Sequence, residues 1–103
     1  MNSPKITNRK AFFEYEIIET LEAGINLYGH EVKSVRLGKA DLAGSFVRII
    51  GSEIYLVNAK IFQYQPGQVE GYDERRTRKL LLHKKQIISL KSKVEGQGLA
   101  LIP

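Results

Sequence analysis

The 103-residue chain of 11.7 kDa is 43% hydrophobic and 26% charged, the balance of one folded domain with a modest core, not of a disordered tail. Sixteen Lys and Arg against eleven Asp and Glu leave a net charge of +5, and zero cysteines exclude disulfides, thiolate metal sites, iron–sulfur clusters and cysteine nucleophiles. No apolar run approaches the ~20 residues of a bilayer span and no secretory signal opens the chain, so a cytoplasmic protein without membrane attachment is expected.

Residues 1–8, with Asn2, Ser3, Pro4 and Asn8 and no periodicity, read as a flexible leader. From Phe13 to Glu19, Phe13, Tyr15 and Ile17 alternate with Glu14, Glu16 and Ile18, the period-2 signal of a strand. Gly24 breaks it, and Ile25-Asn26-Leu27 resumes as a second strand ending at Gly29. Glu31 to Leu37 puts Val32, Val35 and Arg36 at helical spacing, with Gly38 where a C′ residue belongs. The β-branched run Phe46–Ile50, the pair Gly51-Ser52 and the run Ile54–Val57 predict a hairpin with a two-residue turn. Residues 63–74 combine Pro66, Gly67 and Gly71 with polar residues and read as a long loop. Lys79–Leu82 is a strand candidate, His83–Val94 an amphipathic helix with Gly96 past its end, and Leu99–Ile102 a final strand. Short strands with two interposed helices suggest a small, partly closed antiparallel barrel occupying residues 9–103.

Catalytic chemistry finds little to stand on. His30 and His83 are the only histidines, so a zinc site would need both plus distant carboxylates. The segment from Gly38 to Gly44 is glycine-bounded but lacks the order of a phosphate loop, and no Gly-x-Ser-x-Gly elbow occurs. Glu19 and Glu22 form an acidic pair that a solvated turn explains equally well. No enzyme, metal or cofactor is expected.

Charge is segregated along the chain. Residues 11–31 hold five acids and no Lys or Arg, whereas residues 75–103 hold eight cations against Glu95 alone. With a pI near 9.6, cations gathered in particular segments are the footprint of a polyanion binder. Arg75-Arg76-Thr77-Arg78-Lys79 is the strongest local signal. On a strand, Arg76 and Arg78 share one face and Arg75 and Lys79 the other, a stripe suited to bidentate phosphate contacts or to guarding a sheet edge. Tyr64 and Tyr72 nearby are candidates for base stacking or for packing lids.

Six strings, N8-R-K-A11, E19-T-L-E-A-G-I25, G29-H-E-V-K-S-V-R-L-G-K39, L56-V-N58, R76-T-R-K-L-L-L-H-K84 and L99-A-L-I-P103, occur in an order and spacing that resembles the small protein B family, which binds transfer-messenger RNA. The resemblance runs from about Asn8 to Pro103. It implies a mainly β, α+β fold: a small antiparallel OB-like β-barrel with packed helices. It implies an RNA-binding adaptor and no enzyme, one that binds the tRNA-like domain of transfer-messenger RNA and delivers it to stalled ribosomes for peptide tagging, with elongation factor Tu and alanyl-tRNA synthetase as indirect partners. Asn8, Tyr15, Glu22 and Leu81 fall at family positions that hold RNA; Arg9 and Lys10, Lys33 and Arg36, and Arg76, Arg78 and Lys79 lie in the matching basic motifs. Leu81 reads equally as core. A generic OB-like binder of single-stranded nucleic acid and a ribosome-associated structural protein remain as alternatives.

The chain departs from the family pattern at Gly44, where Asp is usual, and at Glu74, where Pro is usual. Family members also continue past Pro103 into a strand and a basic tail needed for tagging. RNA binding without the ribosomal step, or a trimmed sequence, is the corresponding expectation.

Overall fold

The computed structural model describes residues 6–103, so residues 1–5 of the expected leader lie outside the described residues. In chain order the elements are α1 (Arg9–Glu14), β1 (Gly24–Ile25), α2 (Gly29–Arg36), β2 (Ala40–Asp41), β3 (Phe46–Ile50), β4 (Glu53–Val57), β5 (Lys60–Ile61), a 3₁₀ turn (Gln65–Gly67), β6 (Arg78–Leu81) and α3 (Lys84–Gln97). The fold is a mixed α+β arrangement of antiparallel strands and short helices.

The hairpin forms as the sequence predicts. Ile50 lies opposite Glu53, which leaves Gly51-Ser52 as the two-residue turn. β6 pairs with β4 and β1 with β6, giving one antiparallel sheet in the order β1-β6-β4-β3. Alternation then assigns the faces. Val47, Ile49, Ile54, Leu56 and Leu80 share the inner face through the register Val47↔Leu56, Ile49↔Ile54 and Ile54↔Leu80. Ile54 (2% exposed), Leu56 and Ile87 of α3 are buried there. Arg78, opposite Leu56, continues that face towards α2. Lys79 and Leu81 point the other way.

A second ribbon, β2 with β5, stands apart from the sheet. α2 docks on it: Ser34, fully buried, donates its hydroxyl to the Phe62 carbonyl at 2.6 Å. The 63–74 loop is held by Glu74, whose carboxylate accepts from the Gln63 N–H at 2.8 Å and lies 4.0 Å from Lys60 Nζ. Glu74, one of the two departures from the resembled pattern, thus fastens the loop by its side chain. The other departure, Gly44, adopts φ +74°, a backbone conformation in which glycine carries no Cβ penalty.

Several expectations are corrected. The strand foreseen over Phe13–Glu19 is absent: Arg9–Glu14 is helical, docked by buried Ala11 and supported by a Lys10–Glu14 pair at 3.8 Å. Residues 16–23 make no backbone–backbone hydrogen bonds among the described residues outside the strand pairings. The alternation there marks an extended chain laid over the sheet; without a neighbour to complete a ladder it is not a strand. Leu99–Ile102 is irregular for the same reason. α3 runs three residues beyond the expected Val94, through Gly96, and ends at Gly98 in the left-handed conformation, φ +64°.

These two missing strands bear on the barrel. Closure needs a continuous ladder around the circumference, and the described residues form an open four-stranded sheet and a separate two-stranded ribbon. No closed barrel is present among them.

Candidate nucleic-acid interface

Glu31 organises the polar half of the molecule. It sits in the first turn of α2, and its side chain is fully buried. The Tyr28 N–H donates to Oε1 at 2.8 Å, capping the helix start. Arg76 grips the same carboxylate as a fork, through Nε to Oε2 at 3.1 Å and through Nη2 to Oε1. Arg78 donates from Nε to Oε2 at 2.8 Å, and its remaining donors reach the carbonyls of Ala59 (2.7 Å), Arg76 (3.1 Å) and Glu74 (3.1 Å). The Tyr72 hydroxyl lies 2.9 Å from both Glu31 Oε2 and the Ile61 carbonyl and accepts from Arg78 Nη2 at 3.0 Å.

Electrostatics follow from this geometry. Burial by itself raises the Glu31 pKa, but the hydrogen bonds from Arg76, the Tyr28 N–H, Arg78 and Tyr72 outweigh it and hold the carboxyl at about 2. Burial and the adjacent Glu31 carboxylate push the Tyr72 hydroxyl up to about 12. Desolvation acts to lower the Arg76 pKa, and the Glu31 partnership overcomes it and raises it. The carboxylate and two guanidiniums together carry a net +1.

Two sequence expectations change here. Arg78 is 0% exposed with its side-chain donors directed to protein acceptors, so it makes no direct phosphate contact in this arrangement. Arg76 precedes β6, which starts at Arg78, so strand parity does not place it. The two arginines converge instead because Glu31 offers a buried carboxylate to receive them. Tyr72 is likewise a structural hydroxyl, its ring edge-on to His30 at 4.6 Å, and not a free stacking surface.

The other candidate residues fall into separate groups. Lys33 and Arg36 are exposed on α2, with Lys33 Nζ 5.4 Å from the centre of the Tyr64 ring. Arg76 lies with its guanidinium 4.1 Å from the centre of the Tyr28 ring. On the outer sheet face, Lys79 is paired with Glu53 at 3.0 Å, and Leu81 is 52% exposed, which settles it as surface and not core. Gly24 pairs with Leu81, which brings exposed Glu22, two residues before Gly24, towards the same end of the sheet.

Asn8 and Tyr15 belong elsewhere, lining an apolar cavity of about 620 Å³ between the 15–23 segment, the inner sheet face and α3. Exposed Arg9 and Lys10 start α1 beside it. Sequence reasoning missed Glu31 and Tyr28. The usable signal was Glu31 and Ser34 three residues apart amid Val32 and Val35, a polar pair on the side of a helix that must dock. Among the described residues, no group of three or more His, Asp or Glu gathers as a metal site, and no helix is long and apolar enough to cross a membrane.

With this geometry in place, comparison with known proteins gives a consistent result. The model of the SmpB protein family matches residues 5–103. The chain belongs to the SmpB family. It is 51% identical over 98 residues to the SsrA-binding protein of Chlorobaculum tepidum, covering 95% of this chain and 62% of that protein. It is 52% identical over 101 residues to the SsrA-binding protein of Thermus thermophilus, covering 98% and 70%. The chain therefore spans between three fifths and seven tenths of the length of these relatives. A solved chain described as "tmRNA-SmpB: a journey to the center of the bacterial ribosome" matches with a TM-score of 0.68 at 53% identity, over 85% of this chain and 62% of that one. The family is one of RNA-binding proteins and not of enzymes.

Proposed function

We propose that this chain is a non-enzymatic RNA-binding domain over residues 9–103, acting in the cytoplasm. It holds the tRNA-like part of transfer-messenger RNA and carries it to stalled ribosomes, with elongation factor Tu and alanyl-tRNA synthetase acting on the same RNA. The observation that carries the reading is family membership over nearly the whole chain, with relatives named for SsrA binding and a solved one named for tmRNA and the ribosome. The OB-like character also belongs to this reading: the open sheet and the ribbon are two arcs of a barrel wall that further strand pairing would join.

The physics supports RNA over other partners. Lys33, Arg36 and Lys79 present cations from α2 and β6 at the surface, and phosphate neutralisation supplies an affinity that weakens with salt. Arg78 contributes from behind, by fixing β6 against α2. Leu81 offers an apolar contact beside Glu22, whose carboxylate accepts hydrogen bonds from ribose hydroxyls or base edges.

A competition assay tests the reading: the tRNA-like fragment of transfer-messenger RNA against ordinary tRNA and single-stranded RNA at fixed salt. Preference for the fragment is expected, and equal affinity for a random oligonucleotide would favour the generic single-strand binder. Glu22→Ala is expected to lose roughly ten- to hundredfold in affinity for the fragment, the worth of a charge-assisted hydrogen bond. Lys79→Ala should weaken all RNAs alike and reduce the salt slope by about one unit.

A further inference from the structure

Tyr28 is an exposed ring on a fixed base. It is 57% exposed although it immediately precedes a helix with buried positions, and nothing apolar covers its open surface among the described residues. Arg76 lies against the ring at 4.1 Å, and His30 is near-parallel to it, with centres 5.8 Å apart. The fully buried Glu31 holds both members of the stack. It takes the Tyr28 N–H on Oε1 and the Arg76 guanidinium on Oε1 and Oε2. An arginine gripped on its edge by a buried carboxylate and laid on a tyrosine has lost most of its rotamer freedom before any ligand arrives. That is the preorganisation which makes a weak stacking surface useful.

We propose that Tyr28, backed by Arg76, is a stacking platform for an unpaired base of the bound RNA, with Glu31 as its positioning residue. The inference rests on the RNA-binding reading and names an element of recognition within it. Charge complementarity selects this occupant: Lys33 and Arg36 on the following turns of α2 are exposed and cationic, so a base on the ring would carry its phosphates towards cations. Every base has a π-face, so the platform is tolerant of sequence and strengthens binding to loops and single strands over continuous duplex. Arg76 adds a cation beside the π-stack.

The chain contains no tryptophan, so Tyr28→Trp introduces a single indole reporter at the platform. The probe is the tRNA-like fragment, titrated into wild type, Tyr28→Ala, Tyr28→Phe and Tyr28→Trp at several salt concentrations, with folding checked by thermal unfolding. Loss of one base stack corresponds to a roughly five- to hundredfold weaker Kd, expected for Tyr28→Ala with an unchanged salt slope. Tyr28→Phe recovers most of the affinity because the ring is kept. The indole emission of Tyr28→Trp is quenched on binding. A wild type that binds the fragment while Tyr28→Ala binds equally well, or an unquenched indole in a variant that binds, overturns the platform and leaves the RNA-binding reading standing. A wild type that does not bind the fragment overturns both. A Tyr28→Ala whose loss comes with a reduced salt slope overturns stacking in favour of a purely electrostatic role.

Discussion

The two halves of the molecule are held together by different physics. Around Glu31, one buried carboxylate gathers two arginines, a tyrosine hydroxyl and a backbone N–H, tying α2, the 63–74 loop and β6 with bonds that are directional and distance-specific. Across the sheet, the 15–23 segment lies over an apolar cavity with no backbone–backbone hydrogen bonds among residues 16–23 outside the strand pairings, and one exposed pair, Lys93 to Glu19 at 2.7 Å, bridges it to α3. The first half has one satisfactory arrangement, because a buried charge without its partners is costly. The second is held by area removed from water, which is non-directional and tolerates repacking. Ile18, 71% exposed in that segment, shows how little of its apolar surface the second half commits.

The comparison breaks first at Glu31. Glu31→Gln leaves the buried Arg78 guanidinium and the part-exposed Arg76 guanidinium facing a neutral amide, and about 3–5 kcal/mol of stability should be lost at pH 7, measured by urea unfolding. A loss below about 1 kcal/mol would mean that the polar half is not a rigid unit. The same residue sets an acid limb. Its carboxyl titrates at about 2 in the fold against 4.5 for the reference group, so the folded state favours the deprotonated form. That contribution is complete above pH 4.5 and is lost as pH falls towards 2. Unfolding followed from pH 7 to pH 2 should show a decline in that window which Glu31→Gln flattens.

The core between the halves responds more mildly. Ile54, 2% exposed on the inner face of β4, should lose about 0.5–1.5 kcal/mol on truncation to Val, since one methylene and a small void are at stake. In the apolar half the effect shrinks further. Ile18→Ser should change stability by no more than about 0.5 kcal/mol, because the side chain is already largely in water. Thermal unfolding of the two variants in parallel sharpens the contrast; an Ile18→Ser loss equal to that of Ile54→Val would show that the 15–23 segment is packed as tightly as the sheet.

Local chemistry made much of this protein readable from its residues. The Phe46–Val57 hairpin follows from β-branched runs about a two-residue turn, and α2 and α3 follow from apolar spacing that a helix must satisfy whatever it packs against. The basic cluster from Arg75 to Lys79 was legible too, since it is a matter of composition. Where its side chains point was not. Whether two arginines meet solvent or a buried carboxylate depends on a residue 45 positions earlier in the chain, and no local pattern encodes that meeting. Strand formation at 13–19 and 99–102 failed for the same reason: alternation describes one chain, whereas a strand needs a second at hydrogen-bonding distance. The sequence by itself determined the hairpin with its turn, the two longer helices and the family. The tertiary structure alone decided which charges are spent inside the fold, as at Arg78, and which, at Lys33, Arg36 and Lys79, remain at the surface, because burial and pairing are properties of contacts between distant segments.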